Sequence, residues 1–219
     1  MAGMKPGLVI WGASGHGKVV ADAARAGGVF AIAGFIDDDP ALHGGSLLGL
    51  PILGGPQQLS GLKERGVTYA FIAVGRCATR MALGARALAA GLELATIIHP
   101  RATVAGDVLA EMGGGTLIAA GAVVNPGCRL GAHVIINTLA GVDHDCQLAD
   151  GVHIAPGSHL AGGVTVGQGA LVGVGAVVRE GLRLGARCTI GAGAAVVTDV
   201  PEGVTVVGVP ARPLVHRSE

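Results

Sequence analysis

The segment Asp143-His144-Asp145-Cys146 sets an imidazole between two carboxylates. An unperturbed imidazole titrates near neutral pH, so His144 has the chemistry of a general base. His153 follows nine residues later, and His159 six beyond that. A different chemistry is written near the N-terminus in Gly12-Ala13-Ser14-Gly15-His16-Gly17, directly after the apolar run Leu8-Val9-Ile10-Trp11. A glycine-rich turn that opens a helix offers backbone N–H groups and a positive dipole end, which suits a phosphate. Asp37-Asp38-Asp39 lies about twenty residues past that loop, where folds of this kind contact a ribose. The spacing is G-x-x-G-x-G, not the dinucleotide fingerprint, so the loop does not name its nucleotide. His99 and His133 have no evident partners in the sequence and read as structural; His159 reads as a surface residue.

His144 must be positioned by what surrounds it, and there the sequence is strongly periodic. Counting by sixes from Ile118 to Val196 gives fourteen positions, every one Ile, Leu or Val. Two residues before most of them stands a small or short side chain, as at Ala122, Cys128, Ala140, Cys146, Ser158 and Cys188. Glycine often follows the aliphatic, as at Gly131, Gly167, Gly173, Gly185 and Gly191. One inward aliphatic per side, a small residue at the narrowing corner and a residue tolerant of positive φ at the bend specify a parallel β-helix. Three sides close a coil of about eighteen residues, and stacked coils pair every strand with those above and below. His144 falls two residues past inward Val142, which puts it at a corner facing outward. Cys128, Cys146 and Cys188 occupy the small-residue position and read as buried hydrophobes. Val104 to Leu109 reads as an earlier, less regular coil, with Glu111 to Gly115 breaking register before the run.

The glycine loop belongs to a different architecture. Strands are expected at residues 8–11, 31–36 and 68–74, and helices at 18–26 and 79–90. Strand, glycine turn, helix and strand make a small Rossmann-like βαβ unit with a parallel sheet. All five aromatics fall in the first third of the chain, so the two halves build their cores differently. We place an α/β domain at residues 1–97 and the β-helix, with a short C-terminal tail, at 98–219. The 15 basic and 15 acidic residues cancel, which gives no electrostatic case for nucleic acid or an anionic membrane as partner. No apolar run is long enough to span a bilayer, no secretory leader is visible, and no C-x-x-C pair occurs, so a cytoplasmic setting with reduced thiols is expected. Met4 in Met1-Ala2-Gly3-Met4 is a second possible start.

The strand with its G-x-x-G-H-G loop, the Asp37-Asp38 pair and the hexapeptide β-helix carrying His144-Asp145-Cys146 together resemble the sugar O- and N-acyltransferases. These include sialic acid O-acetyltransferases and bacillosamine and perosamine N-acetyltransferases, the GDP-perosamine enzymes being most similar. The resemblance runs from about residue 7 to residue 213. It implies a left-handed β-helix, a homotrimer, and acetyl-CoA lying between neighbouring β-helices, with no metal. It implies transfer of acetyl to the C4 amine of a nucleotide-linked amino sugar, with lipopolysaccharide O-antigen synthesis as the setting. His144 matches the catalytic histidine, with Asp145 next to it where the family often has Glu. His153 matches a histidine near the thioester, Gly162 a backbone donor to the acetyl oxygen with Gly163 beside it, and Asn137 a residue near the sugar. Gly12, Ser14, Gly15, His16, Gly17, Asp37, Asp38 and Gly75 match the surroundings of the nucleotide sugar.

Other functions share parts of this pattern. A UDP-linked sugar, or O- in place of N-acetylation, fits the same residues. Zinc carbonic anhydrases use the same β-helix but need three histidines converging on one metal. The coil histidines 133, 144, 153 and 159 show no close His-x-x-x-x-His pair. A non-enzymatic nucleotide-sugar sensor would not need the His144-Asp145 pair, and NAD-linked chemistry is disfavoured by the glycine spacing.

Overall fold

The structure is a computed structural model that describes residues 5–214; the paired start methionines lie outside that range. The chain divides into two compact units, one ending at Pro100 and the other beginning at Arg101.

In the first unit, the strands Ala31–Ile36, Gly7–Trp11, Val67–Ile72 and Glu93–Leu94 lie side by side in that order, all parallel. The helices Gly15–Gly27 and Cys77–Ala89 follow the strands Gly7–Trp11 and Val67–Ile72 respectively. Leu8, Val9, Ile10, Phe35 and Phe71 are completely buried, as a parallel sheet covered on both faces requires. Gly28 adopts a left-handed conformation and donates its N–H to the Ala24 carbonyl, which ends the first helix. The sequence pattern did not reveal the hairpin of Ser46–Leu47 with Leu50–Pro51, the short helix Leu59–Leu62 or the edge strand Glu93–Leu94. Each is four residues or fewer, too short for a period to show.

The second unit is a left-handed parallel β-helix with three faces. The first face stacks the two-residue strands beginning at residues 103, 123, 141, 159, 177 and 195, the second those at 129, 147, 165 and 183. The third stacks those at 117, 135, 153, 171 and 189, followed by Thr205–Val207. Partners are eighteen residues apart along most of each face, as in Val124 with Val142 and Leu130 with Leu148. All fourteen inward aliphatics are at most 3 % exposed, so each contributes about 1.5–3 kcal/mol of burial.

Two readings need correction. The left-handed backbone does not fall on the glycine after each aliphatic. It recurs three residues past the aliphatic, every sixth residue from Gly115 to Gly193, with His133, Leu139, Asp145 and Arg187 as its non-glycine members. The glycines directly after the aliphatics answer to close approach instead: a Cβ on Gly173 would come within 2.6 Å of the Ile190 carbonyl oxygen in the next coil. Upstream, only Thr103–Val104 joins the first face, against Val123–Val124. Gly106–Glu111 is a short helix rather than a coil, because Val108 alone turns inward and Asp107 reaches out to accept the Gly127 N–H at 2.7 Å.

Candidate active site

His144 sits on the corner between the first and second faces, after the strand Gly141–Val142 and before Gln147–Leu148. The corner is held at several points. Asp143 turns its carboxylate back to accept the His144 N–H at 2.8 Å, and Gly163 donates to the His144 carbonyl at 2.8 Å. Asp145 adopts φ +60 and donates its N–H to Pro126 O at 3.1 Å. That turn brings its carboxylate to Nδ1 of His144 at 2.8 Å. With Nδ1–H donating its hydrogen bond to Asp145, the Nε2 lone pair is left to take a proton from a substrate. The hydrogen bond that Nδ1–H donates to Asp145, and next the negative charge of Asp143, raise the imidazole above its ordinary pKa. Asp143 itself is lowered, first by a 2.8 Å hydrogen bond from the Asn125 amide and then by the His144 N–H.

The imidazole lies over Gly162 in the next coil. A Cβ at that position would come within 2.6 Å of both Cε1 and Nε2 of His144. Gly181 donates to the Gly162 carbonyl at 2.9 Å, while among the described residues no acceptor takes the Gly162 N–H. A proton acceptor and an uncommitted N–H donor therefore share one corner, the pair that acyl transfer needs.

Beside this corner the first face forms an open groove of ≈ 720 Å³, lined by Val123, Asn125, Leu139, Gly141, Asp143, His159 and Val177 among others. Gly141 makes the recess: a Cβ there would reach 2.5 Å from the His159 ring nitrogen. His159 is thus exposed, as read from the sequence, but it lines the groove.

His153 lies on the third face, where its Nε2 is 3.2 Å from the Asn137 amide nitrogen. Asn137 is only 8 % exposed, and its side-chain oxygen accepts the Thr138 N–H at 2.8 Å. Asn137 follows the third-face strand Ile135–Ile136 and so stands at the corner leading to the first face. Within one chain the structure brings His144, Asp145, Gly162 and Gly163 together. It sets His153 and Asn137 together elsewhere, at another corner of the prism. His133 occupies the corner between the second and third faces, so the four coil histidines diverge. Among the described residues no group of three or more His, Cys, Asp or Glu is placed to hold a metal ion.

In the first unit the glycine loop runs from the strand Gly7–Trp11 into the helix Gly15–Gly27, with exposed Ser14 as the N-cap. Gly17 packs against the Gly12 carbonyl too closely to admit any side chain. Asp37 accepts the Ala13 N–H at 2.7 Å and the Asp39 N–H at 2.9 Å, so its carboxylate fastens the loop to the end of the strand Ala31–Ile36. Asp38 accepts the Trp11 indole N–H at 3.0 Å, and Trp11 is in turn faced by Arg86. Burial, with the charge of Arg80 second, pushes His16 down to about 4, so it is neutral at pH 7. Arg80 was not singled out by the sequence. It is fully buried and donates to the Val74 and Gly75 carbonyls at 2.9 Å each, which shapes the chain at Gly75.

Residues 7–86 match the PglD N-terminal domain, and residues 145–180 match the bacterial transferase hexapeptide (six repeats). Among solved structures, perosamine N-acetyltransferase from Caulobacter crescentus, a histidine-to-asparagine variant in complex with CoA and GDP-perosamine, is 41% identical with a TM-score of 0.91. That match covers 96% of this chain and 97% of the other. The chain belongs to the hexapeptide-repeat sugar acyltransferases. A second member of this kind, the acetyltransferase domain of PglB from Neisseria gonorrhoeae FA1090 in complex with acetyl coenzyme A, is 41% identical over 96% of this chain and 100% of its own, TM-score 0.90. WeeI from Acinetobacter baumannii AYE is 28% identical, TM-score 0.83, over 94% of this chain and 99% of its own. In this acyltransferase the sequence reading missed Asn125 and its bond to Asp143, which depends on the coil register. The signal was present, because Asn125 and Asp143 are eighteen residues apart and both directly follow an inward valine.

Proposed function

We propose that this chain transfers the acetyl group of acetyl-CoA to the C4 amine of a nucleotide-linked amino sugar, GDP-perosamine being the favoured acceptor. The observation that carries the reading is the His144–Asp145 pair at 2.8 Å above Gly162, in a chain 41% identical to an enzyme of that activity. His144 Nε2 takes the proton as the amine nitrogen bonds to the thioester carbon. The Gly162 N–H holds the oxygen that becomes negative, and the carbon–sulfur bond then breaks to release coenzyme A. A thioester is already activated, so the residues at hand suffice without a metal. The loop Gly12–Gly17 and the end of the strand Ala31–Ile36 hold the nucleotide sugar. Neutral His16 serves there as a hydrogen-bonding group, and the backbone N–H groups supply the attraction for phosphate.

The working form is a homotrimer in a cytoplasmic setting. Val123, Leu139 and Val177 line the groove and are 37 %, 64 % and 47 % exposed, an apolar strip that a second copy would cover. His153 and Asn137 then serve the thioester and the sugar bound against a neighbour's His144, which accounts for their distance from His144 within one chain.

Thiol release from acetyl-CoA, measured with a panel of GDP- and UDP-linked 4-amino sugars, tests the reading. Turnover with a GDP-linked amino sugar is expected, lowered by about two orders of magnitude or more in His144→Asn with binding retained. Wild-type turnover in His144→Asn, or no thiol release with any amino sugar, would refute it.

A further inference from the structure

We infer that Asn125 and Asp143 are positioning residues that hold His144 in register for proton transfer. The inference rests on His144 being the base, as proposed above.

The repeat itself supplies the comparison. The residue after the inward aliphatic at this edge of the prism is Asn125, Asp143, Ala161, Arg179 and Val197 in successive coils. Ala161 makes the same backbone bond as Asp143: their N–H groups donate to Val178 and Leu160 carbonyls respectively, at 3.0 Å each. The fold therefore does not need a carboxylate at this place. Here, and in the coil stacked on it, two polar side chains meet: the Asn125 amide donates to Asp143 Oδ1 at 2.8 Å. The same oxygen accepts the His144 N–H at 2.8 Å. One coil on, the corresponding N–H belongs to Gly162 and has no acceptor among the described residues. The carboxylate thus ties down a corner N–H that the coil otherwise leaves outward.

The consequence is mechanical. Asp145 fixes the ring through Nδ1, and Gly162 bounds the ring below. Neither of those contacts holds the His144 N–H, while its carbonyl is held by the Gly163 N–H at 2.8 Å. Asp143 holds that His144 N–H, and Asn125 keeps the carboxylate from rotating away. Asp143 and Asn125 also line the groove on the first face beside the His144 corner. A displacement of about 1 Å in a catalytic group can cost about a hundredfold in rate.

The test compares Asp143→Ala, Asp143→Asn and Asn125→Ala in the full chain. The readouts are kcat, KM for both substrates, the pH profile of kcat and thermal stability. Asp143→Ala is expected to lower kcat by about 10- to 100-fold with KM nearly unchanged and melting close to wild type. Asp143→Asn keeps an acceptor for both N–H donors but loses the charge. It is expected to recover most of kcat while its acidic limb moves to lower pH. Asn125→Ala should lower kcat by less than Asp143→Ala. Wild-type kcat in Asp143→Ala would overturn the inference. So would a fall in kcat that merely follows loss of folded protein, or an Asp143→Asn enzyme no better than Asp143→Ala. His144→Asn run alongside separates the two claims. If it stays active, the assignment of the base fails. If it is inactive while Asp143→Ala is normal, only the positioning role fails.

Discussion

Gly162→Ala tests the geometry of the site with a single methyl group. A Cβ at residue 162 would lie 2.6 Å from both Cε1 and Nε2 of His144, where carbon and nitrogen normally approach to about 3.5 Å. The ring must therefore retreat by about 1 Å or rotate off the Asp145 carboxylate. The backbone has no reason to object, because Gly162 is absent from the left-handed positions and the coil carries Glu180 and Thr198 at the corresponding places. Alanine also lacks glycine's extra freedom in the unfolded chain, which favours the folded variant by about 0.4–1 kcal/mol. The expected result is a melting temperature equal to or above wild type and a kcat reduced about a hundredfold. Steady-state thiol release at saturating acetyl-CoA and sugar measures the loss, with calorimetry on the same samples. A double-mutant cycle sharpens the assignment. Once His144 is asparagine the methyl group has no imidazole to displace, so adding Gly162→Ala should cost far less than it does alone. If Gly162→Ala keeps wild-type kcat, or costs the same with and without His144, the imidazole does not work from above Gly162.

Further consequences follow from the same corner and from the glycine loop. Because the hydrogen bond to Asp145, then the charge of Asp143, raise His144 above the ordinary imidazole range, and the base works unprotonated, the acidic limb of kcat should lie at higher pH than an unperturbed imidazole would give. Asp145→Asn removes the larger cause, so the limb should move to lower pH while kcat drops; a pH–rate profile of both proteins checks this. Asp145→Gly should do the reverse of most active-site changes. It relieves a left-handed φ of +60 at a place where other coils carry glycine, so melting should hold or rise slightly while turnover is lost. In the first unit, Asp37→Ala frees the Ala13 and Asp39 N–H groups and should cost about 1–3 kcal/mol of stability in denaturant titration, with weaker binding of the nucleotide sugar.

The β-helix was legible because its rule is local and strictly repeated. One inward aliphatic in every six residues states the side length, and the small residue two places earlier states the corner. The corner position of His144 followed from counting alone. Its surroundings followed less well, since contacts between coils join residues eighteen apart: Asn125 to Asp143, and His144 to Gly162. Reading them requires writing the coils one above another. The glycine roles were misassigned for a physical reason. A glycine needed for positive φ and a glycine needed for close approach look alike in sequence, and here they stand two residues apart, as at Gly173 and Gly175. In the first unit the loop and flanking strands were visible from the run Leu8 to Gly17. Arg80 was not, because nothing in Cys77–Ala89 marks one arginine of that helix as buried and aimed at strand-end carbonyls.

The exceptions to the repeat carry the functional information. Fourteen corners demand a left-handed residue, and glycine meets the demand at no steric cost in all but four. His133 is buried above Gly115, and Arg187 pairs with Glu202, so those two have local compensation. Asp145 and Leu139 are exposed side chains in the same unfavourable conformation. Asp145 spends its strain on orienting the imidazole. Leu139 makes no such contact; it sits 64 % exposed in the groove on the first face. A branched apolar side chain in a left-handed turn has no stabilising role in an isolated chain, because it adds both strain and apolar surface in water. Its presence is consistent with selection in an assembly where the first face is covered. On that view the two strained corners serve one site. Asp145 orients the imidazole through its 2.8 Å bond, and Leu139 adds apolar surface to the groove beside that corner.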